Sequence, residues 1–146
     1  MGFHFSSAPP VNAGSLSRSV EIATAGLALT SLAVRDKSIL LDELGDVLVA
    51  KGDLDGAFEH FRESLEIAQA LARDDPGNAG WRRDLAFSNA NIALAGGDPR
   101  AHWGEAVAIL EALAAEGKLA PRDHGSLETA RAQLATLVGG PGDGGD

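Results

Sequence analysis

The chain has 146 residues, a formal net charge of −9 and no cysteine. An acidic chain gains no counterion release on a phosphate backbone, which argues against nucleic acid and, for the same reason, against an anionic membrane surface as partner. The missing thiols remove disulfides, thiolate catalysis and sulfur-ligated zinc together, and they fit a reducing, cytoplasmic setting.

Apolar residues make up 45% of the chain, enough to exclude wholesale disorder, and the length suits one domain. Ala and Leu supply much of this, while β-branched and aromatic residues are sparse, so the composition favours an all-α fold. No run reaches the ~18 consecutive apolar residues of a spanning helix. The apolar stretch from Ile22 to Val34 has a long upstream region in which Glu21 offsets Arg18, and Arg35-Asp36 comes directly after it. It reads as helix, not as a signal peptide.

Residues 1–14 carry Pro9-Pro10, Asn12 and Gly14 and show no period, so a disordered leader is expected, with Phe3 and Phe5 unassigned. From Ser15, Leu16, Val20, Ala23 and Leu27 fall on one helical face; Thr30-Ser31 is expected to end this first helix. Its segment Ser19-Val20-Glu21-Ile22-Ala23 matches Ser64-Leu65-Glu66-Ile67-Ala68, 45 residues later. The first helix thus resembles the second helix of a hairpin whose first helix is missing.

A second helix is expected from about Arg35 to Ala50, with Leu40, Leu41, Leu44, Val47 and Leu48 as its apolar face. Lys51-Gly52-Asp53 ends it: Lys suits the helix dipole, Gly the left-handed cap, and Asp53 can cap the third helix. This third helix covers about Leu54 to Arg73, with Ala57, Phe58, Phe61, Leu65, Ala68, Leu71 and Ala72 as its buried stripe. Asp75-Pro76-Gly77-Asn78 stops it. The pattern then returns. Trp81, Leu85, Ser88, Ile92 and Ala95 form a further amphipathic run, in which Arg83-Asp84 lies 48 residues after Arg35-Asp36 and Ile92-Ala93 falls on Leu44-Gly45. After Gly96-Gly97-Asp98-Pro99, a partner helix carries Trp103, Ala106, Val107, Leu110 and Leu113 and ends at Glu116-Gly117. Pro121 and Asp123 start a last helix, apolar at Leu127, Ala130, Leu134 and Leu137 and polar at Glu128, Arg131 and Gln133, as a terminal capping helix needs. The Gly-rich residues 139–146 read as a disordered tail.

Between Leu41 and Asn78 the chain reads Leu41-x-x-Leu44-Gly45-x-x-Leu48, then Ala57-x-x-x-Phe61, then Pro76. This resembles the tetratricopeptide repeat, whose signature is W-x2-L-G-x2-Y, A-x3-F and P. Leu41 stands for the Trp and Leu48 for the Tyr; in a second, degenerate unit Ala93 stands for the Gly and Leu110 for the Phe. The spacing has a physical reason: Gly45 and Ala57 let two helix backbones approach, and Phe61 fills the space beside them. The 48-residue period exceeds the usual 34, through a longer second helix and a connector that looks like those of long-repeat bacterial arrays of this family. The resemblance covers about Ser38 to Ala115. It implies a short right-handed solenoid of antiparallel helical hairpins, about six helices over residues 15–138, closed by the C-terminal helix. The alternative is an ordinary antiparallel bundle.

In this family the first helix of each unit lines a concave groove. The resemblance therefore implies a peptide-binding face made of Ile39, Asp42, Glu43, Asp46 and Val49, joined by Phe87, Asn91 and Leu94, with Phe87 as an apolar anchor. Three carboxylates there favour a basic peptide. Catalytic patterns fail on inspection. His4, His60, His102 and His124 form no ligand pair. Asp53-x-Asp55-Gly56 would place Lys51 and Arg62 where a calcium loop needs acids. Gly117-Lys118 has Ala112 where a phosphate loop needs Gly, and Leu119 stands where it needs Ser or Thr. The expectation is a non-catalytic protein- or peptide-binding scaffold, with no catalytic, cofactor or metal residue. The alternative is a structural or oligomerising segment of a longer array, self-associating through its first helix.

Overall fold

The computed structural model describes residues 13–138, with side chains from residue 31 onward. It is all-helical, and no strand occurs among the described residues. The elements are α1 (Ala13–Ala50), α2 (Leu54–Asp74), α3 (Ala79–Leu94), α4 (Pro99–Ala115), a 3-10 turn at Pro121–Asp123, and α5 (His124–Val138). Each helix packs on the next in chain order. The expected leader and tail fall largely outside the described residues, at 1–12 and 139–146, although Ala13 and Gly14 already belong to α1.

The expected break at Thr30-Ser31 does not occur. Among the described residues there are five α-helices, not six, because α1 runs unbroken for 38 residues, about 57 Å. No Gly or Pro lies between Leu27 and Leu44, so nothing removes a backbone donor or supplies a left-handed turn. Ser and Thr alone only weaken helix propensity.

The other boundaries obey local chemistry. At the end of α1, Gly52 takes a φ of 83° and the Asp53 amide donates to the Leu48 carbonyl. Asp53 then caps α2 by accepting from the Gly56 amide at 2.9 Å. Asn78 caps α3 through the Trp81 amide, and Asp98 caps α4 through Arg100 and Ala101. Gly96 and Gly117 supply the left-handed turns after α3 and α4.

Contacts along the helices show that neighbours are antiparallel. In the α1–α2 hairpin, Ser38 lies against Ser64, their hydroxyls 2.7 Å apart and both buried. Ser64 Oγ also donates to the Ser38 carbonyl. Further along, the Phe61 ring occupies the space where a Cβ at Gly45 would lie, and Ala57 is wholly buried. Ala57, Phe61 and Leu65 then form one core cluster with Ile92 and Ala95, joining α2 to the C-terminal half of α3. Ala86, Leu110, Leu113, Leu119 and Leu127 join α3, α4 and α5. The sequence placed nearly all of these residues inside.

The expected apolar face of the Arg35–Ala50 segment is wrong in part. Leu41 is buried and Leu48 half-buried, but Leu40, Leu44 and Val47 are 58%, 53% and 51% exposed. They project from the side of α1 away from α2. Periodicity finds an apolar stripe; it does not say which neighbours exist to cover it.

Candidate interaction groove

Two charged links tie the odd-numbered helices together. The Arg35 guanidinium on α1 donates twice to the Asp84 carboxylate on α3, at 2.6 and 3.2 Å. Arg83 on α3 donates twice to Asp123 at the foot of α5, at 2.6 and 3.0 Å. Both pairs are bidentate, which restrains orientation as well as distance. They come from three of the chain's four Arg-Asp dipeptides, Arg35-Asp36, Arg83-Asp84 and Arg122-Asp123, the fourth being Arg73-Asp74 at the end of α2. Arg35 holds the Asp of the second of these three, and Arg83 the Asp of the third. Asp123 is buried, and its hydrogen bonds from Arg83 hold its carboxyl below the ordinary range, against the opposing effect of desolvation.

The Arg83–Asp123 link sets α3 and α5 side by side over α4, leaving a groove of about 510 Å³. Phe87, Asn91 and Leu94 of α3 form one wall, Ser126 and Thr129 of α5 the other, and Trp103 lies among the residues between them. Arg122 sits at the α5 end. Phe87 is half-buried beneath the Arg83 guanidinium, which lies 4.4 Å from the ring centroid, so the group that holds α5 also packs this ring. Leu94 is 62% exposed on the lip.

Three of the eight residues expected at a binding face therefore converge in this groove. The other five lie on α1 and do not line it. Ile39, Glu43, Asp46 and Val49 are exposed. Asp42 behaves differently: it is half-buried, close to Ser64 and Asn91, and its Oδ1 is buried without a hydrogen-bond partner. Burial pushes its carboxyl above the ordinary range; nearby Ser64 and Asn91 oppose this, while Asp46 and Asp84 add to it. Asp42 is thus a packed, partly desolvated acid and not a free rim charge.

Sequence reasoning missed the far wall. Arg122, Ser126 and Thr129 belong to a helix read only as a cap. The signal was available in the Arg122-Asp123 dipeptide, which relates the start of α5 to the segments of α1 and α3 at Arg35-Asp36 and Arg83-Asp84. The irregular spacing, 39 residues from Arg83 to Arg122 against 48 before, hid it. No cluster of three or more His, Asp or Glu able to hold a metal occurs among the described residues, and no described helix is long and apolar enough to cross a membrane. Comparison with models of known families, with characterised proteins and with solved structures finds no match.

Proposed function

We propose that the protein is a non-catalytic binding scaffold, a short right-handed solenoid of tetratricopeptide-like hairpins that takes a peptide segment in the groove between α3 and α5. The observation that carries this reading is the convergence of Phe87, Asn91 and Leu94 in one groove with Trp103. A partly exposed aromatic and an exposed leucine beside an amide side chain suit an apolar anchor residue flanked by backbone hydrogen bonds. The close approach of α1 and α2 at Gly45, Ala57 and Phe61 supports the repeat reading, since these are its signature positions. Exposed Glu43 and Asp46 on α1 favour basic residues on the segment that continues past the groove.

Pull-down with mass spectrometry identifies the segment, and titration then tests the groove. Phe87→Ala with Leu94→Ser is expected to weaken binding at least tenfold while helicity is retained. Glu43→Lys with Asp46→Lys is expected to weaken it severalfold, in a salt-dependent way. Unchanged affinity in the first variant removes the groove as the binding site.

A second reading is assembly, by which the chain pairs with itself or with further repeats. The exposed row Leu40, Leu44 and Val47 favours it, since an uncovered apolar row on one helix marks an interaction surface.

A further inference from the structure

We infer that two copies of this chain pair by exchanging the N-terminal halves of their α1 helices, each half covering the Leu40, Leu44 and Val47 face of the other copy. The inference rests on the assembly reading and specifies its geometry.

The 48-residue internal register states what that face is. It aligns Leu40, Leu44 and Val47 with Ser88, Ile92 and Ala95 of α3. Those three are 1%, 2% and 5% exposed, and Ile92 and Ala95 are buried against Ala57, Phe61 and Leu65 of α2. The equivalent side chains on α1 are more than half exposed. The face therefore has the form of one that accepts an α2-like helix, and among the described residues none covers it.

The sequence contains a second α2-like helix. At the 45-residue offset Val20 and Ala23 fall on Leu65 and Ala68, within the match of Ser19–Ala23 to Ser64–Ala68, and Leu16 and Leu27, on either side of it, fall on Phe61 and Ala72. This segment is the N-terminal half of α1. It is covalently next to the face it matches, yet it runs straight on from it. Between α2 and α3 the chain turns at Asp75-Pro76-Gly77-Asn78. From Ala68 to Arg83 there are 15 residues, but only 12 separate their equivalents Ala23 and Arg35, and these include no Pro, Gly or Asn beyond Gly26. The turn is missing, and the helix continues through its place. A hairpin whose connector is shortened into helix cannot close on itself, which favours closing the same contact in a second copy.

The geometry is self-consistent. Phe61 of α2 and Ile92 of α3 share one core cluster; repeating that contact in trans sets residue 16 of one copy beside residue 44 of the other, and antiparallel packing then sets residue 20 beside residue 40. Both pairings centre on residue 30, so two antiparallel α1 helices meet about a twofold axis there, and the contact is isologous and closed. The register also accounts for the length of α1: with Ser38 opposite Ser64, α1 extends well beyond the C-terminal end of α2.

Light scattering during size-exclusion chromatography is expected to give twice the 15.0 kDa chain mass. Leu44→Glu changes an exposed side chain and is expected to yield a folded monomer. Restoring a turn by inserting Asp-Pro-Gly-Asn after Thr30 is expected to do the same while keeping helicity, since the hairpin can then close in cis. The chain has no native cysteine, so Leu16→Cys and Leu44→Cys chains can be mixed with a short thiol cross-linker. A dimer band is expected from the mixture and from neither variant alone. A wild-type monomer at all concentrations would overturn both the exchange and assembly by self-pairing. A dimer that survives Leu44→Glu, or that cross-links in Leu16→Cys alone, overturns the exchange and leaves assembly by another surface.

Discussion

Replacing Gly45 by Ala tests the reason α1 and α2 lie so close. In a helix interior this change normally stabilises by about 1 kcal/mol, because Ala loses less backbone freedom on folding. Here the added Cβ would collide with the Phe61 ring. That ring is 1% exposed and enclosed by Ala57, Leu65, Ile92 and Ala95, so it has little room to swing aside. Overpacking of this kind costs about 1–3 kcal/mol. The net expectation is a loss of up to about 2 kcal/mol and no gain, at on the order of 4 °C of Tm per kcal/mol in a domain of this size. Phe61→Leu removes the colliding ring edge at its own cost. In that background Gly45→Ala should become neutral or stabilising, giving a coupling energy of about 1–3 kcal/mol in the double-mutant cycle. Urea and thermal unfolding monitored by circular dichroism at 222 nm measure all four proteins. A stabilising Gly45→Ala in the wild-type background, or additive effects, would refute the close-contact explanation.

The acid limb of stability should report two charged links from α3: Arg82 to Glu116 after α4, at 2.9 and 2.7 Å, and Arg83 to Asp123. Arg82 holds Glu116 down to about 2, and Arg83 holds Asp123 below its ordinary value. A carboxylate whose folded pKa is depressed contributes stability above its unfolded value near 4, and that contribution is lost as pH falls towards the folded value. Unfolding midpoints are therefore expected to drop from about pH 4 towards pH 2, and Asp123→Asn to flatten that limb while costing about 1–3 kcal/mol at pH 7, a figure discounted because Arg83 is a third exposed. Asp42 has the opposite sign: its carboxyl is raised, so its ionised form opposes folding and the folded state gains as pH falls through the raised value. Asp42→Asn should raise Tm at pH 7, with the advantage over wild type shrinking at pH 4; a destabilised variant at pH 7 would show that the charge is used elsewhere.

Helix identity, the first cap and most of the core were legible in the residues, because these features are local. Asp53 announces α2 by a hydrogen bond reaching only three residues, and Ala57, Phe61, Leu65 and Ala68 declare a buried stripe by period alone, while Asn78 and Asp98, read only as turn residues, cap α3 and α4 in the same way. The close approach at Gly45 was legible for the same reason: a small residue opposite another small residue has one common use. What only the tertiary structure decided is which surfaces meet. The same periodicity marks Leu41 and Leu44 as apolar, yet one is buried and the other exposed, since burial depends on whether a neighbour is present and not on the stripe. Asp42 looked like a rim charge and is half-buried, because its Oδ1 falls on the side facing the α1–α2–α3 junction. The far wall of the groove, with Arg122, Ser126 and Thr129, emerged only when Arg83 was seen to reach Asp123 across 40 residues of chain. A contact at that separation leaves no period in the sequence; it exists because the intervening hairpin folds back and sets the two ends a hydrogen bond apart.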